Sequence, residues 1–66
     1  MPVLVALITA PKGEGRRLAR ALVEAGAAAC VNVTSVSSIY AWRGQIEEAD
    51  EDLLIAKTTE DANARL

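Results

Sequence analysis

Residues 2–9, "PVLVALIT", are apolar almost without interruption. Apolar side chains at odd and even positions alike predict a strand covered on both faces or placed centrally in a sheet, with Pro2 at its first position. The stretch "APKGEG" (10–15) breaks that pattern. Beyond it Leu18, Ala19, Leu22, Val23 and Gly26 recur at three- and four-residue intervals, with Arg16, Arg17, Arg20 and Glu24 on the opposite side. That spacing predicts an amphipathic helix with one buried stripe. Glu14 suits its N-terminus through the helix dipole, and Gly26 is placed to end it.

Next come two long β-compatible arms, "CVNVTSVSSIYAW" and "QIEEADEDLLIAKT", around Arg43-Gly44. A two-residue connection with glycine predicts a tight hairpin. It sets Trp42 opposite Gln45, Val33 opposite Leu54 and Cys30 beside Lys57, and puts Val31 and Val33 on one face with Leu54 and Ala56. Nearer the tip the alternation lapses. Ser35, Ser37 and Ser38 meet Asp52, Asp50 and Ala49, and Val36 and Ile39 fall on opposite faces unless a register shift or bulge intervenes at Ser35 to Ser38, which we expect. The closing "KTTEDANARL" predicts a second helix, with Thr58 or Thr59 as N-cap and Glu60 and Asp61 in its first turn.

The element order is therefore β-α-β-β-α, an α+β chain: an antiparallel sheet with its helices on one face and a long protruding hairpin. In a split β-α-β architecture the second helix leads to a fourth strand beside the first. The expectation is a single domain over residues 1–66, lacking its C-terminal strand or strands and helix.

Length sharpens the picture. A strand of 13 residues spans roughly 43 Å at about 3.3 Å per residue. A compact chain of 66 residues has a radius of gyration near 11 Å and a diameter near 28 Å. The hairpin must overhang its own core, and a two-stranded ribbon alone in water is marginal. A second copy of the chain is the natural partner, and Val36, Ile39, Tyr40 and Trp42 along the overhang are the candidate oligomer-interface positions. Tyr40 and Trp42, sharing a face beside Arg43, read as packing anchors sooner than as the wall of a ligand pocket.

Composition agrees. A chain this short buries only about 60% of its unfolded surface, and folding alone comes out near balance. One cysteine closes no intrachain disulfide, and with no histidine there is no zinc site of the usual kind. Assembly or additional chain is the remaining source of stability. The net charge of −2 offers no basic surface for nucleic acid. The eight-residue run "VLVALITA" is far too short for a membrane span and lacks the flanks of a signal peptide. A solitary cysteine without a targeting segment fits a reducing, cytoplasmic setting. The sequon "NVT" at Asn32 lies mid-strand and reads as chance.

Candidate chemistry is sparse. Gly13 and Gly15 lie between a strand and a helix, as in phosphate-binding loops, but no Gly-Lys-Ser/Thr follows and the GxGxxG spacing is absent, so the segment reads as a plain loop rather than an anion site. The run Glu47, Glu48, Asp50, Glu51 and Asp52 reads as a solvated strand face or a guard against edge-to-edge aggregation. It lacks the spacing and glycine of a calcium loop, and extended geometry sends successive carboxylates to opposite faces. No nucleophile is paired with a visible base, so the chain is expected to have no catalytic residues and no bound organic cofactor.

"LITAP", "ALVEAGAAACVNV", "SIYAWRGQIEE" and "LLIAKTT", in that order and spacing, closely resemble the CutA family of divalent-cation tolerance proteins, over essentially the whole chain. The resemblance implies a ferredoxin-like fold assembled as a homotrimer akin to PII-type signalling proteins, with the long second and third strands pairing across subunits. It implies a cytoplasmic protein of copper tolerance, binding Cu2+ or another divalent cation in some members. Cys30 matches the family's cysteine in "AACVN", considered a metal ligand together with a histidine and acidic residues further on. The family's "HPYE"-like segment, further strand and last helix have no counterpart in these 66 residues. A site built from this stretch alone would be one thiolate with oxygen donors, poor for Cu(II). By residue type alone Cys30 reads as a small buried hydrophobe, and Lys57 beside it would favour the thiolate in an open site.

Three classes of function follow as expectations. The first is a non-catalytic homotrimeric response protein for divalent cations. The second is a PII-like signalling or scaffold module taking a small anionic ligand in intersubunit clefts. The third is an enzyme whose catalytic groups come from chain outside these residues.

Overall fold

The computed structural model describes residues 3–59 and Asp61. Its elements are β1 (Val3–Pro11), α1 (Gly15–Glu24), β2 (Cys30–Trp42) and β3 (Gln45–Thr59). The strands form one antiparallel sheet in the order β1-β3-β2, with α1 packed on one face. This is the α+β arrangement expected from the pattern. The β1 strand runs on through Ala10 and Pro11 instead of ending at Thr9. Pro11 lies at the end of an outer strand, a position that tolerates proline.

The helix forms where predicted and buries Gly15 and Ala19, with Leu18 and Leu22 half-buried behind them. Val23, assigned above to the buried stripe, is instead 44% exposed on its flank. The helix ends at Gly26 as expected: Gly26 N–H donates to Val23 O and Ala27 N–H to Leu22 O, the paired bonds of a Schellman stop. The chain then turns under the sheet through Ala27 and Ala28, both buried.

Alternation along the strands sorts the side chains onto two faces. On the helix side, Ile8, Ala10, Val31 and Leu54 meet Leu18, Ala19 and Leu22, and Leu54 and Ala56 are fully buried. β3 is the central strand and carries most of this core. Thr58 is buried there too, its hydroxyl donating to Ala27 O and tying the turn after α1 to the end of β3.

The hairpin closes on Arg43 and Gly44, both with positive φ (50° and 77°), the turn whose twist matches paired strands. Pairing of β2 with β3 is unbroken from Cys30–Lys57 to Trp42–Gln45. The bulge expected at Ser35 to Ser38 is therefore absent: one register satisfies the backbone throughout, and Val36 and Ile39 stay on opposite faces. Thr58 and Thr59, expected to cap the second helix, lie in β3. Of that helix only Asp61 is described, with helical backbone, and the rest lies outside the described residues. The described part measures 42 × 21 × 15 Å with a radius of gyration of 13.5 Å, well above the roughly 11 Å of a compact chain of this length. The ribbon overhangs, as its length requires.

Candidate functional site

Helix α1 covers one face of the sheet and leaves the other open. On that open face β1 places Val3, Val5 and Leu7, which are 72%, 60% and 69% exposed. Leu7 pairs with Ile55 and Thr9 with Leu53, so the half-buried Ile55 and Leu53 extend the patch across the central strand. The explanation lies in the sequence: "VLVALIT" is apolar on both faces, and α1 covers only one. Three large side chains mostly in water on one face make this the candidate interaction surface of the described residues.

The same face continues onto the ribbon. Val36, Tyr40 and Trp42 alternate along β2 on the open side, while Ile39 points to the other side with Ala41 and Ile46. The four candidate interface residues are thus split three to one. Ile39 and Ile46 are 67% and 74% exposed, and Tyr40 and Trp42 46% and 57%. The Arg43 guanidinium lies 5.5 Å from the Trp42 ring centroid, a cation–π contact at the very tip. The tip is therefore apolar on both sides, with carboxylates Glu47 and Glu48 opposite Tyr40 and Ile39.

Cys30 opens β2 at the far end of this face. Its register partner is Lys57, which in turn pairs with Val5, so the three form one row across the sheet. The thiol is free and exposed, not the buried small hydrophobe that residue type suggested. Among the described residues no three His, Cys, Asp or Glu groups lie close enough to hold a metal ion. The nearest charge by register is the Lys57 ammonium, which repels a cation. One subunit's described residues therefore supply a metal with a single soft donor and do not fit a complete copper centre.

The acidic run divides. Glu48 and Asp50 are exposed, and Asp50 lies 3.8 Å from Lys12 Nζ and accepts from Ser37 Oγ at 3.3 Å. Asp52 is different: it is only 8% exposed, against the expected solvated face. Its Oδ2 accepts from the N–H groups of Gly13 and Gly15, 2.9 Å from each. The glycines between β1 and α1 do grip an anion, and the anion is a side chain of β3. Sequence reading missed this pairing because the partners are 37 and 39 positions apart. The signal available was an aspartate in alternation with Leu54 and Ala56, on the face that α1 covers, where an unpaired charge would be costly.

A groove of about 410 Å³ runs beside α1, lined by Ala19, Arg20, Val23, Glu24 and Val31. Every buried side-chain polar atom among the described residues has a hydrogen-bond partner. No described helix is long and apolar enough to cross a membrane.

Comparison with known proteins places this geometry. Residues 4–66 match the family model "CutA1 divalent ion tolerance protein". The divalent-cation tolerance protein CutA of Thermus thermophilus is 48% identical over 64 residues, covering 94% of this chain and 62% of the relative. The solved structure of the T. thermophilus protein has a TM-score of 0.85 at 45% identity, covering 97% of this chain and 64% of that one. The PII-like protein CutA of Nostoc, in apo form, gives 0.84 at 39% identity over 92% of this chain and 59% of its own. A protein described as the periplasmic divalent cation tolerance protein CutA, from Archaeoglobus fulgidus, gives 0.87 at 38% identity over 97% and 61%. The Thermus and Archaeoglobus relatives are named for divalent cation tolerance, not for a reaction. The chain spans about three fifths of their lengths. With the same fold and a match over nearly every residue, this chain belongs to the CutA1 family of divalent ion tolerance proteins.

Proposed function

We propose that the protein acts without chemistry, as a homotrimeric cytoplasmic response protein for divalent cations. The observation that carries this reading is the open face. Val3, Val5 and Leu7 stand mostly in water on the face of the sheet opposite α1, and the hairpin carries the same face to the end of a molecule 42 Å long. Fully burying one such side chain contributes about 1.5–3 kcal/mol, so sister subunits laid on this face gain substantially from each row they cover. The threefold number comes from family resemblance, and the overhang supports it by offering each ribbon a neighbour to lie on. A solitary exposed thiol fits a reducing compartment.

Cation binding, in this reading, involves Cys30 as one donor, with the others supplied by a sister subunit or by chain beyond the described residues. Calorimetry of the full-length protein with Cu2+ tests it. Saturable binding weakened by Cys30→Ala supports the reading, and binding unchanged by that substitution removes Cys30 from it. Sedimentation velocity tests the assembly: a stable single-subunit species defeats the trimer.

A second reading is a PII-like module that takes a small anion between subunits. The groove flanked by Arg20 favours it, since it opens beside β2, the outer strand where a sister subunit would dock. A response to nucleotides or small anions, with none to Cu2+, selects this reading over the first.

A further inference from the structure

The turn between β1 and α1 is an anion cradle already filled by the chain itself. Gly13 has φ 92°, and Glu14 follows in the right-handed region at φ −94°, ψ −12°. Adjacent residues of opposite hand aim backbone N–H groups at one point, the concavity that holds phosphates and other anions at helix starts. Here the N–H groups of Gly13 and Gly15 converge on the single oxygen Oδ2 of Asp52. Glu14, at the N-cap position, makes no side-chain cap bond and instead accepts from Arg17 in solvent. The start of α1 is thus capped by a carboxylate from the central strand, not by a local residue. Gly15 is fitted to that arrangement. A Cβ there would stand 2.8 Å from Asp52 Cβ, 2.9 Å from Oδ2 and 2.9 Å from Val33 Cγ1.

We propose that Asp52 is a built-in counter-anion: it latches α1 onto β3 and bars phosphate and carboxylate ligands from the β1–α1 turn. Any anionic ligand of the protein must then bind elsewhere, whichever reading of its function holds.

The backbone amide resonances of Gly13 and Gly15 in the full-length, isotope-labelled protein report on the cradle directly. In the wild type they should stay in place when formate or inorganic phosphate replaces chloride at matched ionic strength. In Asp52→Ala both should start upfield of their wild-type positions and return downfield, saturably, as formate enters the vacated space. Amides that ignore formate in Asp52→Ala overturn the proposal, as does a wild type that responds as far as the variant. Should the alanine variant fail to fold, Asp52→Asn keeps the volume and removes the charge. Both amides should then lie upfield, and unchanged positions overturn the proposal equally.

Discussion

Gly15 and Asp52 meet where α1 crosses β3: the N–H of one donates to the carboxylate of the other at 2.9 Å, across 37 positions of sequence. The contact fixes both the position of the helix start and the identity of the residue there. A donor without a Cβ lets the carboxylate pass beneath the first turn, and the carboxylate offsets the burial of the Gly15 N–H.

Stability should register both halves of that pair. Asp52→Ala leaves the N–H groups of exposed Gly13 and buried Gly15 without their charged acceptor, and the buried one so orphaned costs about 1–3 kcal/mol. Gly15→Ala forces a methyl group against Asp52 and Val33, and overpacking of this kind costs about 1–3 kcal/mol. Urea unfolding of each variant checks the two values. In the double variant part of the clash is gone, so the combined loss should fall short of the sum, whereas strict additivity would mean the two residues act independently.

At the hairpin turn the requirement is conformational. Gly44 has φ 77° with nothing within 4 Å of where a Cβ would stand, so Gly44→Ala tests backbone strain without a steric collision. A left-handed alanine costs about 1–2 kcal/mol, and the loss should appear in the unfolding midpoint while oligomer size is unchanged. Arg43→Asn, by contrast, replaces a side chain held at φ 50° with one that accepts that region, and should leave stability within about 1 kcal/mol of wild type.

For the open face the sharpest substitution is Leu7→Asp. Leu7 is 69% exposed in one subunit and sits opposite Ile55 at the centre of the patch, away from the helix-side core. A charge there hardly disturbs the isolated fold but is left unpaired and desolvated under a sister subunit. Sedimentation velocity should show the wild-type oligomer replaced by smaller species at the same concentration. An oligomer that survives Leu7→Asp with unchanged size would locate the contact elsewhere.

Much of this fold is written locally, and what is not has identifiable causes. The helix follows from the spacing of Leu18, Ala19 and Leu22, and the hairpin from Arg43-Gly44, whose register then fixes every pair from Cys30–Lys57 to Trp42–Gln45. The ribbon's overhang follows from counting residues. The expected bulge arose from assuming that Val36 and Ile39 share a face. The ladder keeps its register because backbone pairing is maintained along the ribbon even where side-chain alternation lapses. Asp52 looks in the sequence like part of the solvated run because its partners are backbone groups, which leave no mark in a one-letter code. Cys30 is by residue type a small hydrophobe suited to burial, yet it stands at the start of β2 on the side that α1 leaves uncovered. Periodicity reports that a face is apolar, but not whether the chain's own helix or another molecule covers it.

Trp42 offers the most direct optical test of what covers the ribbon. It is the only tryptophan of these 66 residues, stands at the tip with 57% of its surface exposed in one subunit, and has the Arg43 guanidinium over its ring. If sister subunits pack along the ribbon, the indole leaves water on assembly, and its emission should lie well to the blue of a solvated tryptophan. Dilution through the dissociation range, or Leu7→Asp at fixed concentration, should then move the emission to the red together with the loss of the large species. Trp42→Ala should weaken assembly by about 2 kcal/mol or more per subunit if the ring is a central anchor, and leave the folded subunit nearly as stable as before. Emission already characteristic of water in the intact oligomer, unchanged on dissociation, would place the tip outside the contact and confine assembly to the patch around Leu7 and Ile55.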